Sequence, residues 1–156
     1  MQRQIRRQDR KMEEQDARKL LEIGEYGILS TVSANGQPYG VPLSYIVLGD
    51  RIYFHCAMVG HKWDNIAGCK NVSFCVVGNT RPVYDNTFTT CYESVIATGE
   101  ASLVNDVTEK SEMLTKLCEK YLPGEMDKAS GEIAKGMAHT GVVRINIIAI
   151  SGKRRA

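Results

Sequence analysis

The residues best suited to chemistry lie in the stretch 41–66, VPLSYIVLGDRIYFHCAMVGHKWDNI. Its polar end is a short loop that leads into a predicted helix near Gly60, with Lys62 in the first helical turn. The first amides of a helix have no intrahelical partner, and glycine lets the main chain approach a ligand closely. Because a cation in the first turn opposes the helix dipole, Lys62 needs an anion nearby. The pattern predicts a phosphate-binding loop; the alternative is a lysine that simply extends into solvent.

His55 is the second candidate, in a predicted strand of mostly apolar residues just ahead of this loop. Such a histidine either faces a ligand, where it can donate or accept a proton near neutral pH, or is a hydrogen-bonded core residue. A metal site would need further ligands at suitable spacing, and His139 and the five scattered cysteines do not supply them. We therefore expect no metal site.

Glu93 and Ser94 interrupt a long run rich in β-branched residues. They either face outward from a half-exposed strand or reach a bound ring or phosphate from a partner subunit. Tyr45 and Trp63 could stack on such a ring, or they could belong to the core or an interface. No nucleophile follows the pattern of a strand-to-helix turn, and the glycine-rich nucleotide-binding motifs are absent. Hydrolase chemistry is therefore disfavoured, and a bound organic cofactor that supplies the chemistry would fit a chain with few obvious catalytic side chains.

The composition is that of one globular domain, residues 1–156. With 43% hydrophobic residues, 24% charged residues and a net charge of +2, nothing suggests disorder or a nucleic-acid partner. Basic residues gather at both ends, and without interleaved aromatic residues they predict a solvated surface. These residues are Arg3, Arg6, Arg7, Arg10, Lys11, Lys153, Arg154 and Arg155. There is no membrane-length apolar run, no signal-peptide pattern and no C-x-x-C pair, so we expect a cytoplasmic protein with reduced thiols.

The first half of the chain is predicted to contain one helix and two hairpins. Apolar spacing predicts a helix over about 12–23 that stops at Gly24. A strand at 27–34 turns at Asn35-Gly36 into a second strand that runs to Leu48, and both faces of this second strand are apolar, which places it in the centre of the sheet. Pro38 and Pro42 lack a backbone donor, so they predict a bulge or an unpaired edge. The next turn is Gly49-Asp50, followed by a strand at 51–57.

The second half adds long strands and a helical insertion at about 106–137. The pattern predicts a helix at 60–68, strands at 72–77, 88–104 and 142–150, and a loop at 78–87. Gly99 predicts a bend in the long strand. Asp106 and Glu109 form a capping pair at the start of one helix, Pro123-Gly124 ends it, and a weaker helix covers 128–137. Five or six antiparallel strands with three or four helices make a β-barrel with helical additions.

Four segments together resemble the FMN-binding split barrels related to pyridoxamine 5′-phosphate oxidase, and within them the 5-nitroimidazole resistance (Nim) group. They are EYGILSTVSANGQPYGVPLSY, IYFHCAMVGHKWDNI, CYESVIATGEASLVND with a following EK, and the terminal ISGK. The resemblance covers nearly the whole chain. It implies a mainly β (α+β) fold, a six-stranded antiparallel split barrel with flanking helices.

The resemblance also implies a homodimer that binds one FMN at each end of the subunit interface. The ring would lie beside Val41, Pro42, Leu43, Ser44 and Tyr45 and near His55, Cys56 and Ala57, with the phosphate at Gly60 and Lys62. Glu93 and Ser94 would approach from the interface. Many relatives have serine where this chain has Cys56, so a hydroxyl contact to the flavin would be replaced by a weak thiol donor.

The activity implied is FMN-dependent reduction of nitro groups in nitroimidazole-type compounds, with electrons from a reduced nicotinamide. His55 would position the acceptor or donate a proton as the catalytic residue. Because this fold hosts many reactions, two alternatives stay open: a non-catalytic flavin-binding or sensor protein, and a haem-binding relative of the same barrel.

Overall fold

Seven strands form one antiparallel sheet in the computed structural model, which describes residues 4–84 and 86–156. The strands are β1 (Gly27–Val32), β2 (Pro38–Leu43), β3 (Ile46–Leu48), β4 (Arg51–Ala57), β5 (Asn71–Tyr84), β6 (Phe88–Leu103) and β7 (Thr140–Arg155). Their order across the sheet is β2-β1-β5-β6-β7-β4-β3. Consecutive strands β2 and β3 thus lie at opposite ends of a sheet that curves but does not close. The mainly β split barrel is confirmed, with seven strands in place of six.

The extra strand arises because the predicted strand 38–48 is broken. β2 ends at Leu43 and β3 begins at Ile46, so each is an edge strand and the prediction of one central strand was wrong. At the break, the Tyr45 side chain turns into the barrel and is fully buried. Its backbone N–H bonds to a tyrosine hydroxyl of a distant helix instead of a neighbouring strand. The missing donor of Pro42 suits the edge position that it occupies.

Both predicted two-residue turns are present. Gly36 and Gly49 have φ angles of 83° and 57°, a region that L-residues rarely adopt, and they connect β1 to β2 and β3 to β4. In β4 the side chains alternate as expected, with Ile52, Phe54 and Cys56 buried on one face.

The loop predicted at 78–87 was wrong. β5 continues to Tyr84 and pairs with β6 as far as Phe88, with residue 85 outside the described part of the chain. A register shift between Val77 and Thr80 accommodates the Gly78-Asn79 pair, which is typical of a turn in sequence but here forms an irregularity inside a long strand. The bend predicted at Gly99 is confirmed by a register shift between Thr98 and Gly99.

Four α-helices pack on the sheet: α1 (Glu14–Ile23), α2 (His61–Gly68), α3 (Val107–Tyr121) and α4 (Met126–Gly136). Asp106 caps α3 by accepting a hydrogen bond of 2.7 Å from the backbone of Glu109, as predicted. None of these helices, within the described residues, is long and apolar enough to cross a membrane.

The sheet ends later than predicted, because β7 extends to Arg155. Arg154 is therefore a strand residue whose guanidinium lies 3.2 Å from both Asp16 and Glu93. Arg3, at the other basic end, lies outside the described residues.

Two apolar clusters explain how β4 is placed. The first fills the barrel and includes Phe54 and Phe74, with the buried residues of α1 closing one side. The second lies on the other face of β4, where Tyr53 and Val142 pack against Leu114 and Leu117 of α3. Side chains in a strand alternate, so His55 leaves β4 on the same side as Tyr53, toward the helical insertion.

Candidate functional site

A cavity of about 360 Å³ lies between this face of the sheet and the helical insertion. Ser44 and His55 line it from the sheet side. The other lining residues are Leu114, Leu117, Cys118, Tyr121, Leu122, Glu132, Ile133, Gly136 and Thr140. Most of the wall is aliphatic, with a few polar groups that converge on one space, which is the usual character of a small-molecule site.

His55 is the titratable group on the sheet side of the cavity. Partial burial lowers its pKa below 6.5, and the nearby positive charge of Lys62 lowers it further. Both effects disfavour the imidazolium form. A neutral imidazole facing an apolar cavity can accept a proton or bind as a ligand at neutral pH.

The loop after β4 has the backbone of an anion site. Gly60 precedes α2 with φ 121° and ψ 173°, a region open essentially to glycine alone, and the space where a Cβ would stand is empty to 4 Å. The amides of Trp63 and Asp64 donate to the Gly60 carbonyl at 2.9 and 3.1 Å. These are the first bonds of the helix, so the amides of His61 and Lys62 lie ahead of them, available to a ligand.

Lys62 supplies the charge for this loop. Its side chain is half-buried, and none of the ion pairs found in the described part of the chain includes it. It lies close enough to lower the pKa of both His55 and Cys56. The phosphate loop and the histidine predicted from sequence are therefore electrostatic neighbours at the end of β4.

The structure separates the other predicted residues by the direction of their side chains. Val41 and Leu43 pack against the barrel core, whereas Pro42 is exposed on the outer face and Ser44 opens into the cavity. Ala57 is exposed at the end of β4.

The side chains of Tyr45 and Cys56, which were predicted to lie beside the flavin, face into the barrel. Both side chains are buried in the barrel core, so neither can touch a ligand that lies outside it. Burial also raises the pKa of the Cys56 thiol and of the Tyr45 phenol. The Tyr45 hydroxyl donates to the Leu21 carbonyl, which rules out stacking on a bound ring in this conformation.

Glu93 and Ser94 do not reach the cavity within one chain. They pair in register with Arg154 and Lys153 near the end of β7, whereas His55 pairs with Val142 near its start. Glu93 is half-buried and accepts a hydrogen bond of 3.2 Å from Arg154.

Sequence reasoning missed the helical side of the cavity. Cys118, Tyr121 and Glu132 lie beyond the stretch 41–66, as does Thr140 at the start of β7, and the apolar stripe of α3 indicated only a core helix. The available signal was that this stripe ends in a cysteine and a tyrosine, which carry polar tips. In the described residues, no group of three or more His, Cys, Asp or Glu side chains is arranged to hold a metal ion.

An open antiparallel barrel with a glycine-lysine loop and an adjoining cavity defines this chain as a split-barrel protein with a candidate cofactor site. The family model described as pyridoxamine 5′-phosphate oxidase matches residues 13–154, so the chain belongs to that family. No curated protein matches it.

Several solved structures share the fold. The flavocytochrome Anf3 from Azotobacter vinelandii has a TM-score of 0.85 at 23% identity, with 98% of this chain and 72% of that chain covered. A Bacteroides thetaiotaomicron protein, assigned provisionally to 5-nitroimidazole antibiotic resistance, has a TM-score of 0.77 at 17% identity, covering 92% of this chain and 85% of that chain. A FAD- and haem-binding protein from Mycobacterium smegmatis has a TM-score of 0.76 at 18% identity, with 91% of this chain and 71% of that chain covered. At these identities the likeness establishes the fold alone.

Proposed function

We propose that this protein is an FMN-dependent oxidoreductase that reduces nitro groups of nitroimidazole-type compounds with electrons from a reduced nicotinamide. The observation that carries the proposal is the pairing of an anion-binding loop with a histidine-lined apolar cavity at one end of β4. The reduced nicotinamide donor and the expected reduced thiols both suit a cytoplasmic enzyme.

The residues present fit the phosphate end of FMN. The conformation of Gly60 keeps side-chain atoms away from the loop, two helix amides precede the first helical hydrogen bonds, and Lys62 offers a charge-assisted donor. The ring would lie along the backbone of 41–44 and the end of β4 at 55–57. In this arrangement Cys56 and Tyr45 contribute backbone groups and core packing, not side-chain contacts.

FMN, when bound, supplies hydride transfer, and the chain supplies binding, orientation and protons. The aliphatic side chains of α3 and α4 form the apolar part of the cavity wall and leave room for a small flat acceptor. His55, held neutral, can hold or pass a proton at its free ring nitrogen beside that acceptor. Ser44 offers a hydroxyl from the same side of the cavity.

We also propose that the protein acts as a homodimer. The outward residues at the middle of β1, β5 and β6 are small or apolar, and none is charged: Ile28, Ser30, Ser73, Cys75, Ser94, Ile96 and Thr98. A large uncharged face of this kind is typical of a protein interface. In such a dimer Glu93 and Ser94, which lie on β6, could serve the flavin of the partner subunit.

The β5–β6 arm, formed by Thr80–Tyr84 and Phe88–Tyr92, supports the same proposal. No described residue of this arm is buried, although Tyr84 and Phe88 stack with ring centroids 5.2 Å apart and Phe88 is 93% exposed. A two-stranded ribbon without a core is marginal in water, so an arm of this composition needs a surface to pack on. A second copy of the chain supplies one.

The absorption spectrum of the purified protein, followed by turnover with NADH and 2-methyl-5-nitroimidazole, tests the enzymatic proposal. We expect flavin bands and oxidation of NADH that depends on the nitro compound. Bound flavin that no nitro compound reoxidises would favour the sensor alternative. A protein that stays colourless with excess FMN, and whose melting temperature does not change, would refute flavin binding.

Haem binding is the second candidate function. The observation in its favour is that His55 presents an imidazole to a largely apolar cavity, where it would hold the haem iron. Titration with haemin distinguishes the two: a Soret band that is lost in His55→Ala supports haem, and a Soret band that is unchanged in His55→Ala argues against this cavity as its site.

A further inference from the structure

Tyr121, at the last turn of α3, connects three parts of the molecule around the cavity. Its ring lines the cavity together with Ser44 and His55. Its hydroxyl oxygen accepts a hydrogen bond of 2.9 Å from the backbone N–H of Tyr45. The same oxygen lies 2.7 Å from the Glu25 carbonyl and 3.0 Å from the Tyr45 carbonyl, and its proton can be donated to either.

The segment held in this way is supported by side-chain contacts, among them the bond from the Tyr45 hydroxyl to the Leu21 carbonyl. Ser44 and Tyr45 join β2 to β3, which lie at opposite edges of the sheet, so the junction belongs to neither ladder. Its backbone position depends on the hydroxyl of Tyr121 and on the burial of the Tyr45 ring. Burial raises the pKa of the Tyr121 phenol, and the Tyr45 backbone and the nearby Ser44 side chain partly offset that rise.

We infer that Tyr121 is a positioning residue: its hydroxyl fixes the Ser44–Tyr45 junction and thereby places the Ser44 hydroxyl in the wall of the acceptor cavity. It acts through Ser44 and takes no part in proton or electron transfer. The expected effect of Tyr121 on acceptor binding rests on the proposed function, whereas its effect on the position of the Ser44–Tyr45 junction does not.

Lys120 offers a matched control in the same turn of α3. Its ammonium donates to the Glu22 and Gly24 carbonyls at 3.3 and 2.8 Å and lies 4.2 Å above the Tyr45 ring. Lys120 therefore anchors α3 to the same end of α1, but it bonds to neither Ser44 nor the backbone of Tyr45. Loss of either side chain should weaken the attachment of α3 to the end of α1. Only loss of the Tyr121 hydroxyl should remove the hydrogen bond that holds the Ser44–Tyr45 backbone in place.

The test compares Tyr121→Phe with Lys120→Met in the flavin-loaded protein. Phenylalanine keeps the ring in the cavity wall and removes only the hydroxyl. We expect Tyr121→Phe to retain its flavin and to raise KM for 2-methyl-5-nitroimidazole on the order of tenfold, with kcat within about twofold of the parent, because a displaced contact weakens acceptor binding. Lys120→Met should lower the melting temperature without raising KM. Equal KM in both variants, or no change in either, would overturn the inference.

Two further measurements keep the inference testable in every case. If Tyr121 acts through Ser44, then Ser44→Ala should reproduce the rise in KM, and the double variant should be no worse than either single variant; additive effects would contradict the inference. If the wild-type protein turns over no nitro compound, the proposed function fails and hydrogen exchange of the segment 41–47 decides the rest. Faster exchange in Tyr121→Phe than in Lys120→Met supports the positioning role, and equal exchange refutes it.

Discussion

At the residue scale, Lys62 is the side chain whose surroundings are hardest to explain without a ligand. It sits in the first turn of α2, where the helix dipole repels a cation, and it belongs to none of the ion pairs formed by the described residues. Natural sequences rarely keep such a conflict between local and global preference without a functional reason. The phosphate of the proposed FMN would resolve this conflict.

Replacement of Lys62 by alanine should therefore yield protein that purifies with much less flavin. A hydrogen bond to a charged donor contributes about 1.5–3 kcal/mol, which corresponds to a loss in FMN affinity on the order of tenfold to a hundredfold. The measurement is the flavin-to-protein ratio after gel filtration, with the Kd from fluorescence quenching. Lys70→Ala removes an exposed lysine just beyond the same helix and should keep its flavin. Equal flavin content in the two variants would remove Lys62 from the site.

The pKa of His55 provides a second prediction. Because it is lowered from 6.5, the unfolded chain binds more protons than the folded chain between that lowered value and 6.5. The free energy of unfolding of the flavin-free protein should therefore rise with pH across this window. Lys62→Ala removes the nearby positive charge but leaves the burial of His55. The pKa of His55 should therefore rise part of the way toward 6.5, and the free energy of unfolding should depend less on pH.

An NMR titration of the His55 ring in flavin-free protein checks this directly, with urea unfolding across the same pH window. Lys70→Ala is again the control and should leave the titration unchanged. A His55 pKa that does not respond to Lys62→Ala would show that the two side chains are not electrostatic neighbours.

Sequence reasoning found His55 and the loop at Gly60 because both depend on local patterns. Alternation along β4 fixed the direction of His55, and a glycine before a helix start marked the loop. It left Tyr45 open between a ligand contact and the core, since a tyrosine at a strand junction can turn either way and the outcome depends on α3, which begins only at Val107. Tertiary contacts of this kind produce no periodic pattern in the sequence.

At the element scale, the turns, the cap and the long strand β6 were predictable, whereas the full lengths of β5 and β7 were not. Asn35-Gly36, Gly49-Asp50 and the Asp106 cap each combine a backbone requirement with a residue that meets it. Gly78-Asn79 met the same requirement for a turn, but the partner strand β6 continued past it and retained the pairing. Pairing between strands is a non-local interaction, so it can override local preference.

Two glycines illustrate how the same residue acts differently in two elements. At Gly99 an added Cβ would lie 2.1 Å from the carbonyl oxygen of Asn146, because the bend in β6 brings the two backbones together. At Gly131, inside α4, an added Cβ would meet nothing within 4 Å. Gly99→Ala should therefore destabilise the protein by about 1–3 kcal/mol through overpacking, and Gly131→Ala should stabilise it by about 0.5–1 kcal/mol through helix propensity.

Urea unfolding of both variants measures these changes, with the m-value as the check that the transition stays comparable. A Gly99→Ala protein as stable as the parent would show that the backbones at the bend can separate at no cost. That result would also weaken the explanation given for the bend in β6 at Gly99.

At the scale of the whole molecule, the candidate site is assembled from segments that are distant in sequence. Ser44 and His55 lie in the first half of the sequence, and the helical wall comes from residues 114–136 in the second half. The two are brought together because β4 buries both of its faces, one in the barrel and one under α3. Sequence patterns indicated each element but not this packing, and so the cavity itself became visible only in the structure.

The same reasoning applies to the outer face of the sheet, where the proposed dimer can be tested without disturbing the monomer. Val77 and Ile96 are 54% and 42% exposed on the uncharged face, so lysine at either position costs the isolated chain little. In a dimer formed through this face, either substitution would bury a charge that has no partner, and removal of an unpaired charge from water is costly.

We therefore expect Val77→Lys and Ile96→Lys to give folded monomers by analytical ultracentrifugation, where the parent is a dimer. Ile23→Lys is the matched control: its side chain is 68% exposed at the end of α1, away from this face, and lysine there suits the helix C-terminus. If flavin is bound between subunits, the two interface variants should also lose flavin while Ile23→Lys keeps it. A dimer that survives both substitutions would place the interface elsewhere and would leave Glu93 and Ser94 without access to any flavin.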